Sequence, residues 1–135
     1  MGFQTRPNKL CKRLNTFYKT TFYISGYYID EPFVYEISNG TIWRINEKEG
    51  DLIYNATWNG QKAALSNLIN SDPKLFVNYE LMPLRDGIDF AEFLVDLTIK
   101  YERFRNDLQT CGGPIDILVL TKDSALWYKH KVFEP

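Results

Sequence analysis

Histidine and cysteine are scarce in this chain. Its 135 residues include one histidine, His130, and two cysteines, Cys11 and Cys111. That set cannot make the usual spacings of a structural zinc site, and no metal or cofactor is expected. The two cysteines lie far apart in sequence, which does not suggest a disulfide framework. Charge of one sign is also missing. Lysine and arginine total 16 against 17 acidic residues, for a net charge of -1. No broad field exists to attract nucleic acid or an anionic membrane, so neither is expected as a partner. No apolar run reaches the roughly 18 residues that a membrane helix needs. The opening residues, MGFQTRPNKL, lack the apolar centre of a signal peptide, which points to the cytoplasm. Internal repeats and low-complexity tracts are absent.

Apolar and aromatic residues are plentiful. They make up 44% and 16% of the chain, too much for a disordered segment. The length fits a single domain over residues 1–135 with a modest core, and residues 1–6 read as a loose tail. Pro7 to Lys19 predicts a short helix, with Leu10, Leu14 and Phe17 opposite Lys9, Lys12 and Arg13. Thr20 to Ile29 is β-branched and aromatic, which favours a strand, and Gly26 marks a bulge or a close backbone approach. FVYEIS and TIWRIN are joined by Asn39-Gly40. A type I′ turn needs positive φ at both central residues, and Asn-Gly supplies it at least cost. That register sets Ile37 opposite Ile42 and Val34 opposite Ile45.

Glu47 to Asp51 reads as a charged loop and Asp51 to Trp58 as a further strand. Gly60 then opens a helix to Asn70, and Asp72-Pro73 stops it. Leu75 to Tyr79 fits a helical turn or a connector equally well. A long helix starts near Pro83, with Leu84, Ile88, Ala91, Leu94 (or Val95) and Thr98 at three- and four-residue steps, widened by Leu97, Tyr101 and Phe104. Asp86, Asp89 and Glu92 load its start, and Lys100, Arg103 and Arg105 its end, as the macrodipole favours. Gly112-Gly113 ends the segment. PIDILVLT and ALWYKHKVF predict two closing strands.

The ordered set resembles the C-terminal half of a proteasome-like N-terminal-nucleophile hydrolase subunit. The segments that carry the resemblance are ISGYYIDEPFVYEISNGTIWRI, ATWNGQKAALSNLI, PLRDGIDFAEFLVDLTIKYERF and CGGPIDILVLTKDSALWYKHK. The resemblance implies an α+β fold, part of an αββα four-layer sandwich with antiparallel sheets and flanking helices. It also implies that the first strand, with its N-terminal nucleophile and supporting aspartate and lysine, lies outside this chain. Supporting positions of the second half depart from the family pattern. Asn59, before Gly60, stands where the family has serine. Cys111, before Gly112 and Gly113, stands where it has the second serine. Leu108 replaces an aspartate, with Asp107 one residue away.

These residues, Asn59, Gly60, Asp107, Cys111, Gly112 and Gly113, are weak supporting candidates for a site. Thr5 would be a nucleophile if residues 1–4 were removed, but Thr5-Arg6-Pro7 does not begin a strand. Cys111 sits near a helix end, where the dipole does not favour a thiolate, and reads better as a small residue in a tight turn. Asp116 reads as a structural hydrogen-bonding residue, and Asp123 and Ser124 as turn residues. The dense aromatics between Phe17 and Tyr35 could stack bases, but near-neutral charge favours core and interface packing.

Half a sandwich leaves sheet edges and inner faces uncovered. The expectation is a non-catalytic or assembly subunit that associates with itself or with a complementary N-terminal-half chain. One alternative is one part of a split threonine-type peptidase or amidohydrolase whose nucleophile is on a partner. Another is a small protein-binding module.

Overall fold

A computed structural model describes residues 20–71, 75–106 and 108–132. The predicted helix at Pro7–Lys19, the stop at Asp72-Pro73, Thr5 and Asp107 lie outside them. The described elements are seven strands and two helices, an α+β set with antiparallel pairing. No described helix is long and apolar enough to cross a membrane.

The chain divides into two compact units. One holds the described residues up to Ile53 together with the turn Leu120–Ser124. The other holds Tyr54–Val119 and the described residues from Ala125 onward.

In the first unit, β1 (Phe22–Tyr28), β2 (Glu31–Ser38) and β3 (Thr41–Arg44) form an antiparallel sheet in that order. The β1–β2 register runs without a break from Phe22–Ile37 to Tyr28–Glu31, so Gly26 is not a bulge. It is a close approach. A Cβ at Gly26 would meet the ring of its cross-strand partner Phe33 at 2.9 Å. The glycine leaves room for the tip of that ring.

Asn39 and Gly40 take φ of 50° and 75°, as a type I′ turn requires. Ile37 faces Ile42, and the Ile45 N–H donates to Val34 carbonyl at 2.9 Å, as the sequence predicts. Ile37 is the buried apolar residue among the described residues of this unit. The segment read as a charged loop is a small hairpin instead. β4 (Glu47–Lys48) pairs with β5 (Asp51–Leu52) around Glu49-Gly50, both at positive φ. The strand expected to reach Trp58 therefore stops at Leu52. Beyond it no described strand offers a partner, and β-propensity without a partner does not make a strand.

Asn46 ties the two hairpins together. Its side chain is buried. Its Oδ1 accepts the Val34 N–H at 2.9 Å and Arg44 Nε at 3.2 Å, and its Nδ2 donates to the Pro32 carbonyl at 2.9 Å. Its own carbonyl accepts the Ile53 N–H at 3.0 Å. Arg44 completes the knot with Glu31 at 2.6 Å and Glu47 at 2.8 Å.

In the second unit, α1 (Ala63–Ile69) starts three residues after Gly60, with Lys62 at its N-cap and Asn70 at its C-cap. Gly60 itself has φ of 84°, outside helical space, which delays the start. α2 (Leu84–Arg103) follows Pro83, as expected. Ala64 and Leu65 of α1 are buried, as are Leu94 and Thr98 of α2. Asn67 Nδ2 donates to the Tyr101 hydroxyl at 3.3 Å. Tyr79 meets Phe90 edge-on at 5.9 Å, so the connector before the helix is held without helical structure of its own. The closing strands β6 (Ile117–Leu120) and β7 (Ala125–Lys129) form a two-stranded sheet.

Asn46→Ala should destabilise the protein by about 2 kcal/mol, because it strands the Val34 N–H and Pro32 carbonyl without partners. Urea unfolding followed by tryptophan fluorescence measures this.

Candidate functional site

Leu94, Thr98 and Glu102 follow one another at four-residue steps on one face of α2, and all three are buried. The first two extend the apolar stripe; Thr98 returns its hydroxyl to the Leu94 carbonyl at 2.9 Å. The third places a carboxylate where the stripe runs out. The loop after the helix folds back onto it. Glu102 Oε2 accepts the Thr110 N–H at 2.8 Å and the Cys111 N–H at 2.7 Å. The Thr110 hydroxyl lies 3.2 Å from each carboxylate oxygen.

The same hydroxyl accepts a bond from Gln61 Nε2 at 2.8 Å. Gln61 follows Asn59-Gly60, where Asn59 Oδ1 accepts the Gly60 N–H at 2.8 Å. A chain of donors thus runs from Gln61 amide to Thr110 hydroxyl to Glu102 carboxylate. Gln109 Nε2 donates to the Cys111 carbonyl at 2.9 Å, and a Cβ at Gly112 would sit 3.2 Å from that nitrogen. Gly113 turns the chain with φ of 92°.

The structure therefore brings Asn59, Gly60, Cys111, Gly112 and Gly113 to one locus through Gln61 and Thr110. The sequence reading did not single out Gln61, Thr110 or Glu102. One signal could have found Glu102: a charged residue four steps past Thr98 on the stripe that packs inward.

Burial pushes the Glu102 carboxyl up. The Thr110 and Cys111 N–H groups, the Thr110 hydroxyl and the charge of Arg105 outweigh it, so the group sits below the ordinary carboxylate value. An ionised carboxylate already holding three donors is a clamp on a turn and has little capacity left as a base. No hydrogen bond or ion pair joins Cys111 to His130 among the described residues. His130 instead lies 3.4 Å from Asp116 and stacks on Trp127 with 4.5 Å between ring centres. Asp116 accepts the Lys131 N–H at 2.7 Å, which holds its carboxyl below the ordinary value despite burial. It carries the structural role expected of it.

Ser124 and Thr121 close the β6–β7 turn. The Ser124 N–H donates to the Thr121 hydroxyl at 3.1 Å, and the Thr121 N–H to the Ser124 carbonyl at 2.8 Å. No group of three or more histidine, cysteine, aspartate or glutamate side chains forms a metal-ligand set among the described residues. Comparison with family models, curated proteins and solved structures finds no match.

The Glu102 clamp sets a pH dependence. In the unfolded chain the carboxyl returns to its ordinary value of about 4.5, and in the folded chain it lies lower. The stabilisation is fully present above the unfolded value and is lost as pH falls through the folded one. Glu102→Gln should lower the urea midpoint at pH 7 and flatten its decline between pH 5 and the folded value, a comparison made by parallel urea titrations.

Proposed function

We propose that this chain is an assembly subunit without chemistry of its own. It would act as the C-terminal half of a proteasome-like αββα sandwich and lend its strands to a partner that completes the sheets. One observation carries the reading. Every residue of β7 is exposed, with Leu126, Trp127 and Tyr128 at 62%, 56% and 55%. Tyr27, Tyr28 and Ile29 at the end of β1 are exposed as well. Large apolar side chains on a strand exposed to water mark a surface meant to be covered.

Sheet size supports the same reading. β4–β5 and β6–β7 are two-stranded, and isolated two-stranded sheets are marginal in water. Added strands from another chain would stabilise them. The reading includes a cytoplasmic location, where a free thiol such as that of Cys111 persists.

A second reading, part of a split hydrolase, draws on the Gln61–Thr110 bond. That bond joins the two turns which the family resemblance aligns with its supporting site residues. In that case the nucleophile belongs to the partner.

Native mass spectrometry of the tagged chain, purified gently from its own host, tests both. A complex that leaves peptide substrates intact is expected. A complex with a processed N-terminal threonine, serine or cysteine that cleaves them would move the assignment to the split hydrolase. A stable lone monomer would overturn the assembly reading.

A further inference from the structure

We propose that Asn59-Gly60 is a site of self-modification, where the Gly60 nitrogen attacks the Asn59 side-chain amide and the chain passes through a succinimide to aspartate and isoaspartate. The inference is independent of the assembly reading.

Asparagine precedes glycine twice, at 39–40 and at 59–60. Asparagine is among the chemically labile residues, and glycine, with no Cβ, leaves the following nitrogen open to it. The backbone separates the two pairs. Asn39-Gly40 forms the turn between β2 and β3, at φ of 50° and 75°, with Ser38 and Thr41 paired across it. Closing a five-membered ring there would swing the peptide out of the turn and break the ladder. Asn59-Gly60 lies between Leu52 and Ala63, where no strand or helix holds the chain, and both residues are exposed. Crowding protects neither pair: a Cβ at Gly40 or at Gly60 would meet nothing within 4 Å beyond its chain neighbours.

The Asn59 side chain is already folded onto the reacting nitrogen. Its Oδ1 accepts the Gly60 N–H at 2.8 Å, and the carbon to be attacked is bonded to that oxygen. Such proximity replaces an encounter with a ring closure. Water or hydroxide takes the Gly60 N–H proton, the N–Cγ bond forms, and the Cγ–Nδ2 bond breaks with loss of ammonia. One water then opens the ring. Addition at the side-chain carbonyl gives aspartate, and addition at the backbone carbonyl gives isoaspartate.

The conversion reaches the Glu102 clamp through the next residue. Isoaspartate routes the backbone through Cβ and Cγ and so adds an atom to it just before Gly60. Both products add a carboxylate. Gln61 follows, and its Nε2 donates at 2.8 Å to the Thr110 hydroxyl, which itself lies 3.2 Å from each Glu102 oxygen. Lengthening the chain ahead of Gln61 draws its amide off Thr110.

Ageing the full chain at about pH 8 and about pH 5 tests this, because the attacking nitrogen must first lose its proton. Trypsin divides the two pairs between peptides 20–44 and 49–62, and fragmentation mass spectrometry locates the acid and distinguishes isoaspartate. In the folded chain Asn59 should convert at least about tenfold faster than Asn39, and faster at the higher pH. In urea the two rates should converge. Asn59→Gln, whose longer side chain does not close the five-membered ring, should stay intact at position 59. After ageing, the wild-type chain should show a lower urea midpoint than Asn59→Gln. Equal rates in the folded chain, a faster Asn39, or no conversion at either would overturn the inference. Conversion that leaves the midpoint unchanged would overturn its connection to the clamp.

Discussion

A buried side-chain oxygen that accepts backbone N–H groups is the interaction on which this structure depends. Asn46 does this in one unit and Glu102 in the other. Apolar burial is thin. The buried apolar residues among those described are Ile37, Ala64, Leu65, Leu94 and Ile117. With so little core, N–H groups that no ladder or helix pairs need other partners. A carboxylate and an amide supply them, and each holds a turn that the strands and helices alone would leave loose.

The polar anchors also explain the character of the candidate site. Thr110 and Cys111 are placed by their backbone donors, and their side chains follow. The carboxylate at this turn is consumed in holding it, and His130 is engaged by Asp116 and Trp127. The same scarcity of core leaves aromatic and aliphatic side chains on β1 and β7 facing water. The assembly proposed above would cover such surface.

Much of the fold was legible because its signals are local. Asn39-Gly40 states a turn type through its own φ preferences, and the register of β2 and β3 follows. The spacing of Leu84 to Thr98 states a helix, and Pro83 its start. Of the predicted stripe Leu94 and Thr98 are buried, whereas Leu84, Ala91 and Phe104 are exposed, so the inward face is narrower than the spacing implies. Where the reading erred, a local signal was absent or unsupported. Glu49 at φ of 55° is a conformation that glutamate rarely adopts, so the second hairpin passed as a charged loop. Asp51 to Trp58 has the composition of a strand, but composition does not provide a neighbour. Gly60 was taken to begin a helix that its positive φ postpones.

Turn chemistry and helix periodicity were thus determined by the sequence alone, because each depends on residues within a few positions of one another. Only tertiary structure decided that Gln61 would reach Thr110, that Glu102 would turn from stripe residue to anchor, and that Asn46 would join two hairpins. Those outcomes depend on which donors arrive at a given oxygen from distant segments. No spacing within one element encodes that arrival, since it is set by the packing of the chain around the helix and sheet.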